Sequence, residues 1–174
     1  MRVAVLNGVN LDVLGRRSPE HYGGLTLAEL ESRIYAWSKE LECTTRCRQT
    51  NHEGQFVEWC HDALDWADGV ILNPGAWSHY SYAIRDAVEL FTIPIVEVHL
   101  SNIKEREAWR QQSVVADLAT QTIYGKGPDG YREALVFLAE SFKAKEDART
   151  EEAQTEAVRT EAVEAGEPQM DEAQ

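Results

Sequence analysis

Along the chain, short runs of apolar and β-branched residues alternate with longer segments whose apolar residues recur every three or four positions. The short runs, Val3–Leu6, Thr44–Gln49, Gly69–Leu72, Ile93–Val98 and Thr120–Tyr124, read as strands. VILN and IPIVEV are continuous rather than alternating, which fits strands covered on both faces. Thr26–Leu41 reads as a helix. It opens on Thr26-x-x-Glu29, a capping box, and sets Leu27, Leu30, Ile34 and Trp37 on one face. Gly54–Ala67 places Phe56, Val57, Cys60, Leu64 and Trp66 at mostly helical spacing. Ser78–Leu90 reads as a helix after the third strand, and a short one is expected near Lys104–Trp109. Gly130–Ala144 closes the set.

Alternating strands and helices imply a parallel sheet with helices on both faces. Five strands and about five helices in some 145 residues match a flavodoxin-like doubly wound layout, strand order 2-1-3-4-5. A Rossmann half would want Gly-x-Gly-x-x-Gly after the first strand, and NGVNLDVLG does not supply it. The connection from Gly8 to Leu25 is long for a strand-to-helix loop, which marks it as a functional segment.

The pattern stops near residue 145. Residues 146–174 hold ten Asp/Glu and two Arg, a net of −8 out of −13 for the chain. The run TEEAQ-TEAVR-TEAVE has no sustained apolar stripe. It predicts a disordered or weakly helical acidic tail behind a catalytic domain at 1–145. The negative balance argues against nucleic acid and anionic membrane as partners. No apolar run is long enough for a transmembrane helix, and the first ten residues do not form a signal sequence. A cytoplasmic location is the expectation. Cys43, Cys47 and Cys60 read as free structural thiols, since Cys43-x-x-x-Cys47 has no second half to complete a metal site.

In an open parallel sheet, ligands bind beyond the carboxyl ends of the strands. The first strand is followed by Asn7, Gly8 and Asn10, then by Arg17 and Tyr22 on the long loop. The second is followed by Asn51, His52 and Glu53. The third ends in Asn73, then Gly75, Ser78 and His79. The fourth ends in Glu97 and His99, then Leu100, Ser101 and Asn102. The fifth is followed by Gly125, Lys126 and Gly127.

These residues contain no nucleophile elbow, no strand lysine for a Schiff base, and no carboxylate aimed with His79 and His99 at a metal. What they permit is proton transfer without a cofactor. A guanidinium beside a tyrosine favours phenolate and turns the side chain into a base, and Arg17 and Tyr22 share a loop. His99 is the matching acid. Glu97 stands two residues back on the same face, where a carboxylate orients the imidazole.

The segments NGVNLDVLGRRSPEHYGG, RQTNHEGQFVEWCHDA, ILNPGAWSHYSYAIRDA and VEVHLSNIKEREAWR closely resemble, in order, the type II 3-dehydroquinate dehydratases. The similarity covers about residues 1–143. It implies a flavodoxin-like hydro-lyase without metal or cofactor, assembled as a homododecamer of trimers. The implied reaction is anti elimination of water from 3-dehydroquinate to 3-dehydroshikimate through an enolate. That step serves the shikimate pathway or quinate breakdown.

The resemblance makes Tyr22 the base, Arg17 the group that lowers its pKa, His99 the acid and Glu97 its support. Asn10 helps hold the loop and the acid. Asn73 holds the water or the carbonyl side where enolate charge develops, and His79 and Arg110 take substrate hydroxyls. Backbone amides of Leu100 and Ser101, beside a short helix start, take the carboxylate. Asp86 reaches a neighbouring subunit's site.

The chain departs from the family pattern at Val9, where proline is usual, and at Tyr80, where threonine is usual. Trp77 replaces the common Leu or Tyr. A binding homologue without turnover is one alternative, and it predicts a thermal shift with the substrate but no product. A flavin or nucleotide carrier is another, but the first loop lacks a short Ser/Thr-rich phosphate cradle.

Overall fold

The structure, a computed structural model, describes residues 1–18 and 24–166, with side chains as far as Thr155. Five strands, β1 (Arg2–Asn7), β2 (Thr44–Gln49), β3 (Gly69–Asn73), β4 (Ile95–His99) and β5 (Gln121–Tyr124), form one parallel sheet in the order β2-β1-β3-β4-β5. This is the doubly wound flavodoxin-like order that the pattern predicts. β3 and β4 are buried at every position, whereas β2, at the edge, has only exposed and partly buried residues.

The helices are α1 (Leu27–Glu40), α2 (Glu53–Trp66), α3 (Tyr82–Val88) and α4 (Asp129–Gly166). The predicted capping box is present. Thr26 Oγ1 accepts from Glu29 N at 3.3 Å, and Thr26 N donates to Glu29 Oε2 at 2.7 Å. Such caps contribute about 1 kcal/mol each.

Two apolar clusters lie on opposite faces of the sheet. One joins Val3, Val5, Ile71, Val96 and Val98 to Leu30, Ile34 and to Tyr131, Leu135 and Leu138 of α4. The other joins Ala4, Leu6, Val70 and Leu72 to Phe56, Cys60 and Ala63 of α2 and Ile84, Ala87 and Val88 of α3. Alternate residues of β1 and β3 feed alternate clusters, as the two-residue period of a strand requires.

The expected helix at Ser78–Leu90 divides in two. A 3-10 turn covers Gly75–His79, and Ser81 then caps α3 by accepting from Ile84 N at 3.0 Å. A buried serine at an N-cap starts a new helix more cheaply than a continuous one could carry it. The short helix expected at Lys104–Trp109 is instead two 3-10 turns, Ile103–Glu105 and Ala108–Arg110. On α2, Leu64 is exposed and Trp66 only half-buried, because the buried stripe runs through Phe56, Cys60 and Ala63 at i, i+4 and i+7.

Burial pushes the Cys47 and Cys60 thiols up to about 12, so both stay protonated and unreactive near neutral pH.

The chain divides into two compact units, Met1–Glu140 and Ser141–Gln174. In the first, the opening turns of α4 bury Tyr131, Ala134, Leu135 and Leu138. In the second, helix is described to Gly166, and side chains from Lys143 to Thr155 are exposed. Residues 146–166 of the segment read as a tail are therefore helical, while the remainder of it, 167–174, lies outside the described residues.

One close approach shapes the rim. Gly8 N donates to Asn73 O at 2.8 Å, and a Cβ on Gly8 would stand 2.3 Å from Pro74 O. Gly8→Ala must push β1 away from the β3 loop. It is expected to cost about 2–4 kcal/mol in urea unfolding.

Candidate active site

A small polar cleft opens at the carboxyl ends of β3 and β4. Its lining includes Asn73, His79, His99, Leu100, Ser101 and Arg110, all predicted site residues, together with Arg17 from the long loop. Tyr22 lies outside the described residues.

The cleft is built from strand ends. Asn7 and Asn73 are register partners at the last positions of β1 and β3, and His99 is the last residue of β4. Asn73 is 3 % exposed and His99 5 %, so both are held rigidly at a buried rim.

Beneath His99 lies a buried carboxylate. His99 Nε2 is 2.8 Å from Glu97 Oε1, and Glu97 is 0 % exposed. An ionised carboxylate only accepts, so Nε2 carries the proton, and Nδ1 is the nitrogen left for the cleft. Ser113 Oγ donates to the same Glu97 oxygen at 2.6 Å, whereas Oε2 is buried without a hydrogen-bond partner among the described residues. Two hydrogen bonds on one oxygen fix the carboxylate's rotation and with it the imidazole plane.

His79 lies over His99, with ring centroids 6.2 Å apart and planes 14° from parallel, and Trp109 meets it edge-on at 5.3 Å. His79 Nδ1 is 2.7 Å from the Gln112 carbonyl oxygen, which can only accept. Nδ1 therefore bears the proton, and neutral His79 keeps Nε2 as an acceptor for a hydroxyl donor. Burial lowers the His79 pKa below its ordinary 6.5, against the opposing pull of the Gln112 carbonyl. A depressed folded value means stability fully present above about 6.5 and lost as pH falls through the folded value. An NMR titration of the His79 ring is expected to show a midpoint below 6.5; a midpoint at or above that contradicts the assignment.

Arg110 is half-buried, stacked over Trp109 at 4.0 Å and paired with Glu107 at 2.9 Å. Its position beyond β4 comes from the second 3-10 turn, whose N–H of Arg110 donates to the Glu107 carbonyl at 2.7 Å. The amides of Leu100 and Ser101 stand at the end of β4 ahead of a three-residue 3-10 turn capped by Asn102. A turn that short has little dipole, so anion affinity there depends on the loop amides themselves rather than on the helix start expected from the sequence.

Two predicted residues are placed elsewhere. Asn10 is exposed at φ 64, and its N–H donates to Asn51 Oδ1 at 2.7 Å. Its left-handed backbone bends the loop away from β1, a conformation asparagine tolerates better than most residues. Asp86 is exposed on α3 and is not a lining residue of its own chain's cleft. Its neighbour Arg85 turns inward along the surface, with Nη2 donating to Asp117 Oδ2 at 2.9 Å and Nε 3.3 Å from Glu89.

His52 is exposed at the start of α2. Among the described residues no group of three or more His, Cys, Asp or Glu is placed to hold a metal ion. No described helix is long and apolar enough to cross a membrane.

The departures at Val9, Trp77 and Tyr80 are accommodated. Val9 packs against the second cluster and lies under Gly75, whose φ of +67 leaves a would-be Cβ 2.8 Å from Val9 O. Trp77 is buried edge-to-face on Phe56 at 5.8 Å, a pairing that contributes about 0.5–1.5 kcal/mol beyond its buried area. Tyr80 points out, 57 % exposed.

Sequence reasoning missed Ser113, Gln112 and Tyr131. Ser113 and Gln112 lie in a loop with no periodicity, and Tyr131 has the spacing of an ordinary core aromatic. Nothing linear marks them. Their partners are 16, 33, 58 and 124 residues away.

The sheet and its rim define a flavodoxin-like α/β protein with a small polar cleft equipped for proton transfer. Comparison with known proteins narrows this. The family model for dehydroquinase class II matches residues 1–139. The 3-dehydroquinate dehydratase of Deinococcus radiodurans is 50% identical over 137 residues, which is 78% of this chain and 96% of that protein. That of Pelobacter propionicus is 45% identical over 147 residues, 84% of this chain and 99% of its own. Among solved structures, the type II dehydroquinase of Propionibacterium acnes aligns with a TM-score of 0.78 at 45% identity, covering 80% of this chain and 96% of that one. The chain belongs to the class II dehydroquinase family.

Proposed function

We propose that this protein is a 3-dehydroquinate dehydratase acting by acid–base catalysis at the β3–β4 rim. The observation that carries the proposal is the carboxylate-held His99 facing a cleft shared with His79, Arg110, Asn73 and Arg17. The family membership identifies the substrate class. Tyr22, as phenolate favoured by Arg17, takes a proton from C2 of 3-dehydroquinate. The electron pair moves onto the C3 carbonyl oxygen as an enolate, with Asn73 as the preorganised donor beside the developing charge. As the enolate collapses, the C1–C2 double bond forms and the C1–O bond breaks. The leaving hydroxyl takes a proton from Nδ1 of the doubly protonated His99 ring, whose Nε2–H stays on Glu97, and departs as water, leaving 3-dehydroshikimate.

In this reading His79 and Arg110 hold substrate hydroxyls, and the Leu100 and Ser101 amides hold the carboxylate. Glu97 fixes His99, and Asn10 steadies the loop. Asp86, exposed on α3, completes the site of a neighbouring subunit in a trimer, and trimers assemble into a dodecamer. Residues 1–145 form the catalytic domain and 146–174 an acidic extension.

The direct test is incubation with 3-dehydroquinate, following the conjugated enone of the product in the ultraviolet. No product with a folded protein overturns the assignment, and a thermal shift without product supports a binding homologue instead. Light scattering on the full chain and on residues 1–145 tests the assembly.

A further inference from the structure

We propose that Tyr131 is a positioning residue for the dehydration. Its buried hydroxyl, held between the strand-end asparagines Asn7 and Asn73, dictates which end of the Asn73 amide faces the cleft. The inference rests on the role given to Asn73 above.

Tyr131 stands in the first turn of α4, 0 % exposed, and reaches the carboxyl ends of two adjacent strands. Its hydroxyl donates to Asn7 Oδ1 at 2.6 Å and accepts from Asn73 Nδ2 at 2.8 Å. Asn7 is 0 % and Asn73 3 % exposed, so both bonds are made between buried groups. A phenol has one proton. Once it is given to Asn7, the oxygen can only accept, and only the NH₂ end of Asn73 satisfies it.

The chain has one competing arrangement, with all three groups reversed. Asn7 Nδ2 would donate to Tyr131, and Tyr131 would donate to Asn73 Oδ1. That state turns Asn73 Nδ2 towards Gly75 N–H, which at present donates to Asn73 Oδ1 at 3.4 Å, and two donors would then oppose each other. The long Gly75 contact biases the direction, and the two short bonds through Tyr131 at 2.6 and 2.8 Å hold it. Asn7 Nδ2 is buried without a hydrogen-bond partner among the described residues, so Asn7 offers no rival anchor. With one Nδ2 proton on Tyr131, the second is left for the cleft that Asn73 lines. Burial raises the Tyr131 pKa well above its ordinary 10, so the hydroxyl keeps its proton across the working pH range.

A hydroxyl that merely satisfies the core predicts a different outcome from one that orients a catalytic amide. Full-length Tyr131→Phe keeps the ring and removes the chain's central oxygen. Assayed well below its melting temperature, it is expected to lose about 10-fold or more in kcat with KM within about 3-fold, because the donor acts in the transition state. Asn73→Ala is expected to lose about 10²–10³-fold. The Tyr131→Phe/Asn73→Ala double variant is expected to be no worse than Asn73→Ala, since the tyrosine acts only through the amide.

A folded Tyr131→Phe with parental kcat, or losses that multiply in the double variant, overturns the proposal. If Asn73→Ala itself keeps parental kcat, the role of Asn73 fails first and this inference with it, so the two failures are distinguishable. Should Tyr131→Phe not fold, Asn7→Ala reads the same chain from its far end. It frees the phenolic proton to approach Asn73 Oδ1, and it is expected to lower kcat at unchanged KM, again without added effect in Asn73→Ala. Parental kcat in Asn7→Ala overturns the proposal.

Discussion

Tyr22→Phe is expected to lower kcat by about 10²–10⁴-fold while leaving the circular dichroism spectrum and melting temperature unchanged. Phenylalanine keeps the ring and removes the only group proposed to accept the C2 proton. An ordinary phenol, with a pKa near 10, is a poor base at neutral pH; a guanidinium beside it favours the phenolate. Arg17 lines the cleft with His99 and Asn73, which places that guanidinium on the reacting side of the rim. The variant should also fail to exchange the C2 hydrogens of 3-dehydroquinate with deuterium oxide, because the enolate no longer forms. Full turnover in this variant would remove Tyr22 from the mechanism and leave the proton without an assigned acceptor.

His99→Ala separates the second half of the reaction from the first. Turnover is again expected to fall by about 10²–10⁴-fold, since hydroxide leaves poorly without an acid. Tyr22 and Arg17 remain, so the enolate still forms and returns. Mass spectrometry of recovered substrate should therefore show deuterium at C2 even though little product appears. Loss of exchange together with turnover would mean that His99 takes part in proton abstraction or substrate binding. Unchanged turnover would place the acid elsewhere. The geometry behind the expectation is the fixed ring: Glu97 holds Nε2 at 2.8 Å, Ser113 holds Glu97, and Nδ1 is left for the substrate side.

Most of the sheet is legible from one-dimensional pattern. Continuous apolar runs mark β3 and β4 because both faces of those strands are covered. The Thr26–Glu29 box locates the start of α1 because capping is a local interaction among residues three apart. Where the pattern misleads, a local competitor has won. Ser81 restarts the backbone after a 3-10 turn and shortens the expected Ser78–Leu90 helix to Tyr82–Val88. Around Lys104, tight turns replace a helix: Asn102 caps the first, and extended backbone at Arg106 ends it before the second begins.

The site divides along the same line. That asparagines and histidines follow β1, β3 and β4 can be read from position alone, because strand ends in a doubly wound sheet share a rim. The Glu97–His99 pair is legible too, since residues two apart on a strand share a face. What each group can do there is decided by residues that the sequence does not connect. The Gln112 carbonyl selects the His79 tautomer, Ser113 fixes the Glu97 carboxylate, and Tyr131 ties Asn7 to Asn73.

By itself, then, the sequence determined the strand order, the rim and the kinds of groups on it, because periodicity and capping act over a few residues. Only the tertiary structure decided which nitrogen carries each proton and which way each amide faces. Those choices depend on hydrogen bonds between buried groups brought together by packing, and burial keeps bulk water from satisfying the alternatives.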